Sequence, residues 1–314
     1  MAGSLCFRED TTFTIVQFTD LHWQNGDPAD RRTAALMAQT LDGERPDLVV
    51  LTGDVIDGAN CHDPAAAWRN AVAPIVERAL PWAAVFGNHD DEGTLSRRDL
   101  MAVQQALPGC LSEVGPSHLS GTGNYVLPVR SSSGDAPAAI LYFLDSGSYA
   151  QTDVGGYGWI THDQVAWYLD ASKRLRETNG DKALPALAFF HIPLPEYNEV
   201  WDEHPCRGSR FEEICGPRIN TGFFAALHVG GDVSGTFVGH DHVNDFEGTL
   251  HGIRLCYGRA TGFNTYGRAG FRRGARMIRL RAGMRDFQTW LRLEGGEVIA
   301  EQHVHRPAGR NTSI

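Results

Sequence analysis

The stretch TIVQFTDLH, residues 14–22, decides how the rest of the chain reads. Its first six residues (TIVQFT, 14–19) favour a β-strand and run straight into Asp20 and His22. Ala35, Leu36, Ala38 and Leu41 then recur at helical spacing. The same rhythm returns along the chain. Residues 47–52 (DLVVLT) end at Gly53-Asp54, and residues 82–86 (WAAVF) end at Gly87-Asn88-His89-Asp90. Residues 139–144 (AILYFL) end at Asp145-Ser146, and 186–190 (ALAFF) at His191. Residues 236–238 end at Gly239-His240-Asp241-His242. Helices are expected at 64–80 and 162–177.

Strands that are apolar throughout and alternate with helices belong to a buried, parallel or mixed sheet. Ligands of such sheets sit beyond the carboxyl ends of the strands. The polar clusters fall at that end, so they are expected to converge on one site. Further on, residues 252–257, 274–281, 287–293 and 297–304 read as strands of an antiparallel meander with Gly-rich turns. Residues 131–137 (SSSGDAP) form an exposed turn. Residues 196–221, poor in apolar side chains and rich in Gly, Pro and Cys, read as a long loop that shapes substrate choice.

A chain of 314 residues, 42% hydrophobic and 21% charged, can bury a sizeable core. One domain over 1–314 is expected, with the polar clusters in 20–242 and a β-rich part in 250–305. The net charge of -10 repels polyanions, which weighs against a nucleic-acid polymer as partner. Arg272, Arg273, Arg276, Arg279, Arg281 and Arg285 read as the polar side of the late strands. No run approaches the ~20 apolar residues of a membrane helix. Arg8, Glu9 and Asp10 stand where a signal peptide would be apolar, so a cytoplasmic location is expected, with a trimmed secreted form as the alternative. The six cysteines contain no CxxC pair and read as reduced thiols, with a Cys206–Cys215 disulfide in their shared loop as the alternative in an oxidising compartment.

The clusters offer carboxylate oxygens, imidazole nitrogens and an amide oxygen, a donor set suited to zinc, iron or manganese. A shared carboxylate is what two cations ~3.5–4 Å apart require. Each cluster alone is ordinary. All of them, in order and at strand ends, point to a metal site.

The blocks D-x-H, G-D-x-x-D, G-N-H-D, a lone H and G-H-x-H, from Asp20 to His242, resemble the calcineurin-like metallophosphoesterase superfamily. The text GYGWI (156–160), HIPLPEY (191–197) and GHDHVNDF (239–246) is similar to a branch adjoining the purple acid phosphatases. The resemblance implies a four-layer α-β-β-α sandwich of two mixed sheets flanked by helices. It implies two divalent or mixed-valence metal ions (Mn, Zn or Fe), with Asp20, His22 and His242 holding the first. Asp54 would bridge, and Asn88, His191 and His240 would hold the second. His89 would contact phosphate and protonate the leaving group, with Asp90 orienting it. Purple acid phosphatases carry Tyr where this chain has Asp57, and Gly where it has His22. A ferric phenolate is therefore not expected, and Asp57 reads as structural.

The implied reaction is direct hydrolysis of a small phosphate ester by a metal-activated hydroxide, monoesters first. A diester of a small nucleotide or lipid headgroup comes second, and a catalytically silent metal-binding scaffold third. Trp23 and Tyr197, each near a ligand, are candidate walls for the alcohol portion. His204 and Arg207 are candidate pocket residues in the long loop. Asn244 and Asp245 either orient His242 or cap a turn, and Asp145 serves core or turn hydrogen bonding. The other histidines read as structural or surface residues.

Overall fold

The computed structural model describes residues 5–307. Its strands run β1 (Thr12–Phe18), β2 (Leu48–Thr52), β3 (Trp82–Val85), β4 (Tyr125–Arg130) and β5 (Pro137–Phe143). Then come β6 (Ala186–Phe189), β7 (Cys206–Arg207), β8 (Val233–Val238), β9 (Glu247–Leu250) and β10 (Ile253–Tyr257). The last are β11 (Gly274–Arg281), β12 (Phe287–Leu293), β13 (Val298–Ile299) and β14 (Val304–His305). The α-helices are α1 (Pro28–Glu44), α2 (Pro64–Val76), α3 (Arg97–Gln105), α4 (His162–Thr178), α5 (Glu196–Glu203) and α6 (Phe223–Gly230).

Two mixed sheets form, a six-stranded one ordered β13-β12-β11-β1-β2-β3 and an eight-stranded one ordered β14-β7-β9-β10-β8-β6-β5-β4. The apolar strands are apolar because both faces are covered. In β2, Leu48 and Val50 face the second sheet, whereas Val49 and Leu51 pack under the first helical layer with Leu36, Trp68 and Met101. In β6, Leu187 and Phe189 face inward, while Ala186 and Ala188 join Tyr168, Tyr197 and Leu227 under the other helices. The result is the four-layer α/β sandwich. Between the sheets, Tyr125, Phe143, Phe189 and Phe237 stack in series with centroids 4.6, 5.2 and 5.3 Å apart. The parallel pairs β1–β2, β2–β3 and β6–β8 deliver their carboxyl ends to one edge of the sandwich.

Three expectations need correction. The stretch 196–221 is not all loop: Tyr197 and Val200 give it one apolar helical face, which α5 buries. Residues 297–304 form two short strands in different sheets, and β10 lies parallel to β8 rather than in the late meander, which is β11–β13. Among the arginines, Arg273 and Arg276 are buried; Arg276 donates to the carbonyls of Tyr257 and Asp245, both at 2.5 Å, tying the sheets together. Cys206 and Cys215 are both free: Cys206 Sγ is buried against the Val200 carbonyl and Cys215 Sγ faces Glu213. No helix among the described residues is long and apolar enough to cross a membrane.

Candidate metal centre

Each donor sits on the turn immediately after a strand, where the backbone leaves the sheet. Several of these turns are tight. Asp20, His22, Asp54 and His240 have φ of 53°, 47°, 49° and 80°, in the left-handed region that side chains with a β-carbon avoid. Gly53, at φ 88°, lets the turn pass His191; a β-carbon there would lie 2.5 Å from its Nδ1. One on Gly87 would lie 2.1 Å from Asp54 Oδ1.

These turns gather two donor sets. Asp20, His22, Asp54 and His242 form one, and Asp54, His191 and His240 form the other, each with its donor atoms within 4.8 Å of one another. All are buried, and Asp54 belongs to both. Its Oδ2 lies 3.1 Å from His191 Nε2 and 3.6 Å from His22 Nε2, yet takes no hydrogen bond. Asn88 Oδ1 and His240 Nε2 are likewise buried without partners. Pairs of ring nitrogens face each other at 3.2 Å, His22 Nε2 to His242 Nε2 and His240 Nδ1 to His191 Nε2. Buried polar atoms left unpaired are costly and call for an explanation. Cations supply one, because donor atoms converging at such short range suit a shared positive charge, whether a proton on an imidazole or a metal ion. The residues present fit divalent metal ions.

Outer partners aim these donors. His191 Nδ1 donates to the Thr52 carbonyl at 2.7 Å, which leaves Nε2 as the ligand atom. His242 Nδ1 meets Thr265 Oγ1 at 2.5 Å, with the same result. Asn88 Nδ2 donates to the Tyr149 hydroxyl at 3.1 Å, which turns the amide oxygen inward. Charge is arranged to match. Burial works against the Asp20 charge, but His242 and His191 outweigh it and hold the carboxyl at about 2. Burial and the neighbouring His191 push His240 down to about 3, so at neutral pH one of its ring nitrogens offers a lone pair. Burial also disfavours a charged His191, yet Asp54 overcomes it and raises the imidazole to about 9. A cation must therefore displace that proton.

His89 is half-buried beside the donors, its ring 5.1 Å from that of His22. Burial opposes its charge, but Asp54 and Glu92 outweigh burial and hold its pKa above the usual imidazole value. The expected Asp90 contact is absent. The Asp90 carboxylate accepts the backbone N–H groups of Gly87, Ile56 and Asp54 at 2.7, 3.0 and 3.1 Å, clamping two ligand turns together. Glu92 does the work assigned to Asp90: its Oε2 meets His89 Nδ1 at 2.7 Å, and its Oε1 accepts the Tyr149 hydroxyl at 2.7 Å. An H-x-x-E spacing was the available signal. Tyr149 had none, since the loop carrying it is aimed only by the fold.

The candidate substrate walls lie elsewhere. Tyr197 is fully buried, its hydroxyl 2.8 Å from Thr236 Oγ1. Trp23 is buried in the core below α1 and α2. Arg207 lines a cavity at the opposite end of the sandwich, and His204 closes α5 close to it. Neither Asn244 nor Asp245 orients His242. Asn244 accepts from the N–H groups of Phe211 and Glu212, and Asp245 pairs with Arg259. Asp145 pairs with Arg97 and accepts from Thr122 and Gly147 N–H groups, a structural role. Asp57 accepts from the side-chain amides of Gln24 and Asn60.

Residues 13–244 match the calcineurin-like phosphoesterase family. The chain belongs to that family. Over 328 residues this phosphoesterase-family chain is 37% identical to an Arabidopsis thaliana protein named "Probable inactive purple acid phosphatase 29", covering 92% of itself and 84% of the relative. It is 34% identical to "Phosphatase DCR2" of Saccharomyces cerevisiae, covering 91% of itself and 54% of that longer protein. A crystal structure of a dimetal phosphatase from Danio rerio shares the fold with a TM-score of 0.58 at 16% identity, over 88% of this chain and 98% of that one.

Proposed function

We propose that the protein hydrolyses phosphate esters, monoesters in preference to diesters, at a centre of two metal ions. The observation that carries this reading is the pair of buried donor sets sharing Asp54, whose Oδ2 takes no hydrogen bond. Asp20, His22 and His242 would hold one ion, and Asn88, His191 and His240 the other. Cations there would acidify water and withdraw charge from the phosphoryl oxygens. The chain's own part is positional. The ligand turns bring the phosphoryl group beside His89, and Glu92 takes Nδ1–H so that Nε2 faces the reacting ester. As the water oxygen bonds to phosphorus and the ester P–O bond breaks, Nε2–H gives its proton to the leaving oxygen. The phosphatase names of the relatives support the monoester preference.

A second reading, a silent metal-binding scaffold, draws on the word "inactive" in the Arabidopsis name. The intact donor sets and His89 favour catalysis. Elemental analysis paired with hydrolysis of p-nitrophenyl phosphate and bis-p-nitrophenyl phosphate decides between them. About two metals per chain with turnover lost to chelator is the expected result. Bound metal without turnover of either ester would establish the scaffold.

A further inference from the structure

The mouth of the metal centre is lined by tyrosine and carboxylate. Tyr149 and Tyr266 are 52% and 55% exposed, unusual for large rings beside a buried site. Tyr149 stacks on Tyr157 at 5.8 Å, Tyr157 meets the His240 ring edge-on at 4.2 Å, and Tyr266 lies 4.3 Å from the His242 ring. The rings thus stand over both donor sets. Both exposed phenols donate to carboxylates, Tyr149 to Glu92 at 2.7 Å and Tyr266 to Glu212 at 2.6 Å. Nearby guanidiniums are tied to backbone or rings: Arg218, beside Gly155 and Gly156, donates to the Val154 carbonyl at 2.7 Å. Arg273 is buried and donates to the carbonyls of Thr265 and Tyr266, and Arg268 lies over the Phe211 ring at 4.4 Å.

A phenol hydrogen-bonded to a carboxylate presents an electron-rich face, and such faces attract ammonium groups. Two carboxylates behind the rings, in a chain of net charge -10, strengthen that pull and repel an anionic leaving group. A neutral aromatic alcohol would gain from the rings but nothing from the acids. The geometry points to a phosphate ester of an ammonium-bearing alcohol as the substrate, its cation held among Tyr149, Tyr157 and Tyr266. This inference rests on the phosphoesterase reading above. Hydrolysis would yield inorganic phosphate and the free amino alcohol, whose oxygen takes up the proton.

The test compares phosphocholine with 3,3-dimethylbutyl phosphate, which has the same shape without the charge, on the metal-loaded full chain. Turnover and calorimetric binding are both read. The expected kcat/KM favours phosphocholine about tenfold or more. Tyr266→Leu, at an exposed position, should bring that ratio towards one, and Glu212→Gln should lower it by raising KM for phosphocholine alone. Equal kcat/KM for two esters that are both turned over would overturn the rim's role and leave the phosphoesterase reading intact. Selective binding of phosphocholine without turnover, lost in Tyr266→Leu, would support the rim and sink the phosphoesterase reading. The absence of both turnover and selective binding would overturn the inference.

Discussion

The two ends of the sandwich make an instructive pair. At the carboxyl edge, carboxylates and imidazoles crowd together with buried atoms that no hydrogen bond reaches. At the opposite edge, about one strand length away along β8, Arg207, Arg254 and Arg285 line a cavity of about 440 Å³. There Arg254 pairs with Glu247 and Asp286 and lies 4.0 Å over the Phe287 ring. Arg285 donates to the carbonyls of Gly231, Asp232 and Val233. The arginine-lined end engages two of its guanidiniums with carboxylates, carbonyls and a ring, whereas the carboxyl edge gathers acids and imidazoles with buried atoms that find no hydrogen-bond partner. Unmet valence, rather than volume, distinguishes the candidate site.

The comparison breaks most visibly at Asp54. Asp54→Asn removes the charge shared by both donor sets, and phosphate-ester turnover should fall at least about a thousandfold. Steady-state rates on the metal-reloaded variant measure this, and a tenfold loss or less would detach Asp54 from the chemistry. Next in size is the metal itself. Chelation should lower Tm by on the order of 10 °C, since a ligand at a thousand times its Kd stabilises by about 4 kcal/mol. Calorimetry with and without manganese reads it, and an unchanged Tm would mean that the crowded end needs no cation.

Glu92→Gln sharpens the picture within the site. It should lower kcat roughly tenfold to a hundredfold for alkyl phosphates and much less for p-nitrophenyl phosphate, whose leaving group needs little protonation. Equal losses on both esters would remove Glu92 from the service of His89. Arg254→Met, at the arginine-lined end, should leave kcat/KM within about twofold while costing about 1–2 kcal/mol in denaturant unfolding. A large kinetic loss there would erase the distinction between the ends.

Much of this was legible from residue order. The run 14–19 and its counterparts are apolar because each strand is covered twice, and that requirement is written locally. The polar clusters were legible for the same reason, since each follows such a run, and the side chains at 20, 22, 54, 191, 240 and 242 do converge, whereas which of them would share an ion was read from the family resemblance. Asp90 was misread because adjacency to His89 suggests contact, whereas the turn swings its carboxylate back onto backbone N–H groups of Asp54, Ile56 and Gly87. Tyr197 was misread because the polar residues around it masked a short helical face shared with Val200. Tyr149 and Tyr266 were invisible: they lie on loops, and their approach to His89 and His242 depends on packing between distant segments.

The left-handed turns at His22 and His240 have a thermodynamic consequence. A residue with a β-carbon held in that conformation gives up roughly 1–2 kcal/mol, which glycine would recover. Glycine at either position would relax the turn and, in the same step, remove one imidazole from the donor sets. Backbone ease and donor chemistry thus pull in opposite directions at these two residues, so the same turns that cost the fold its comfort are the ones that aim imidazoles at the centre.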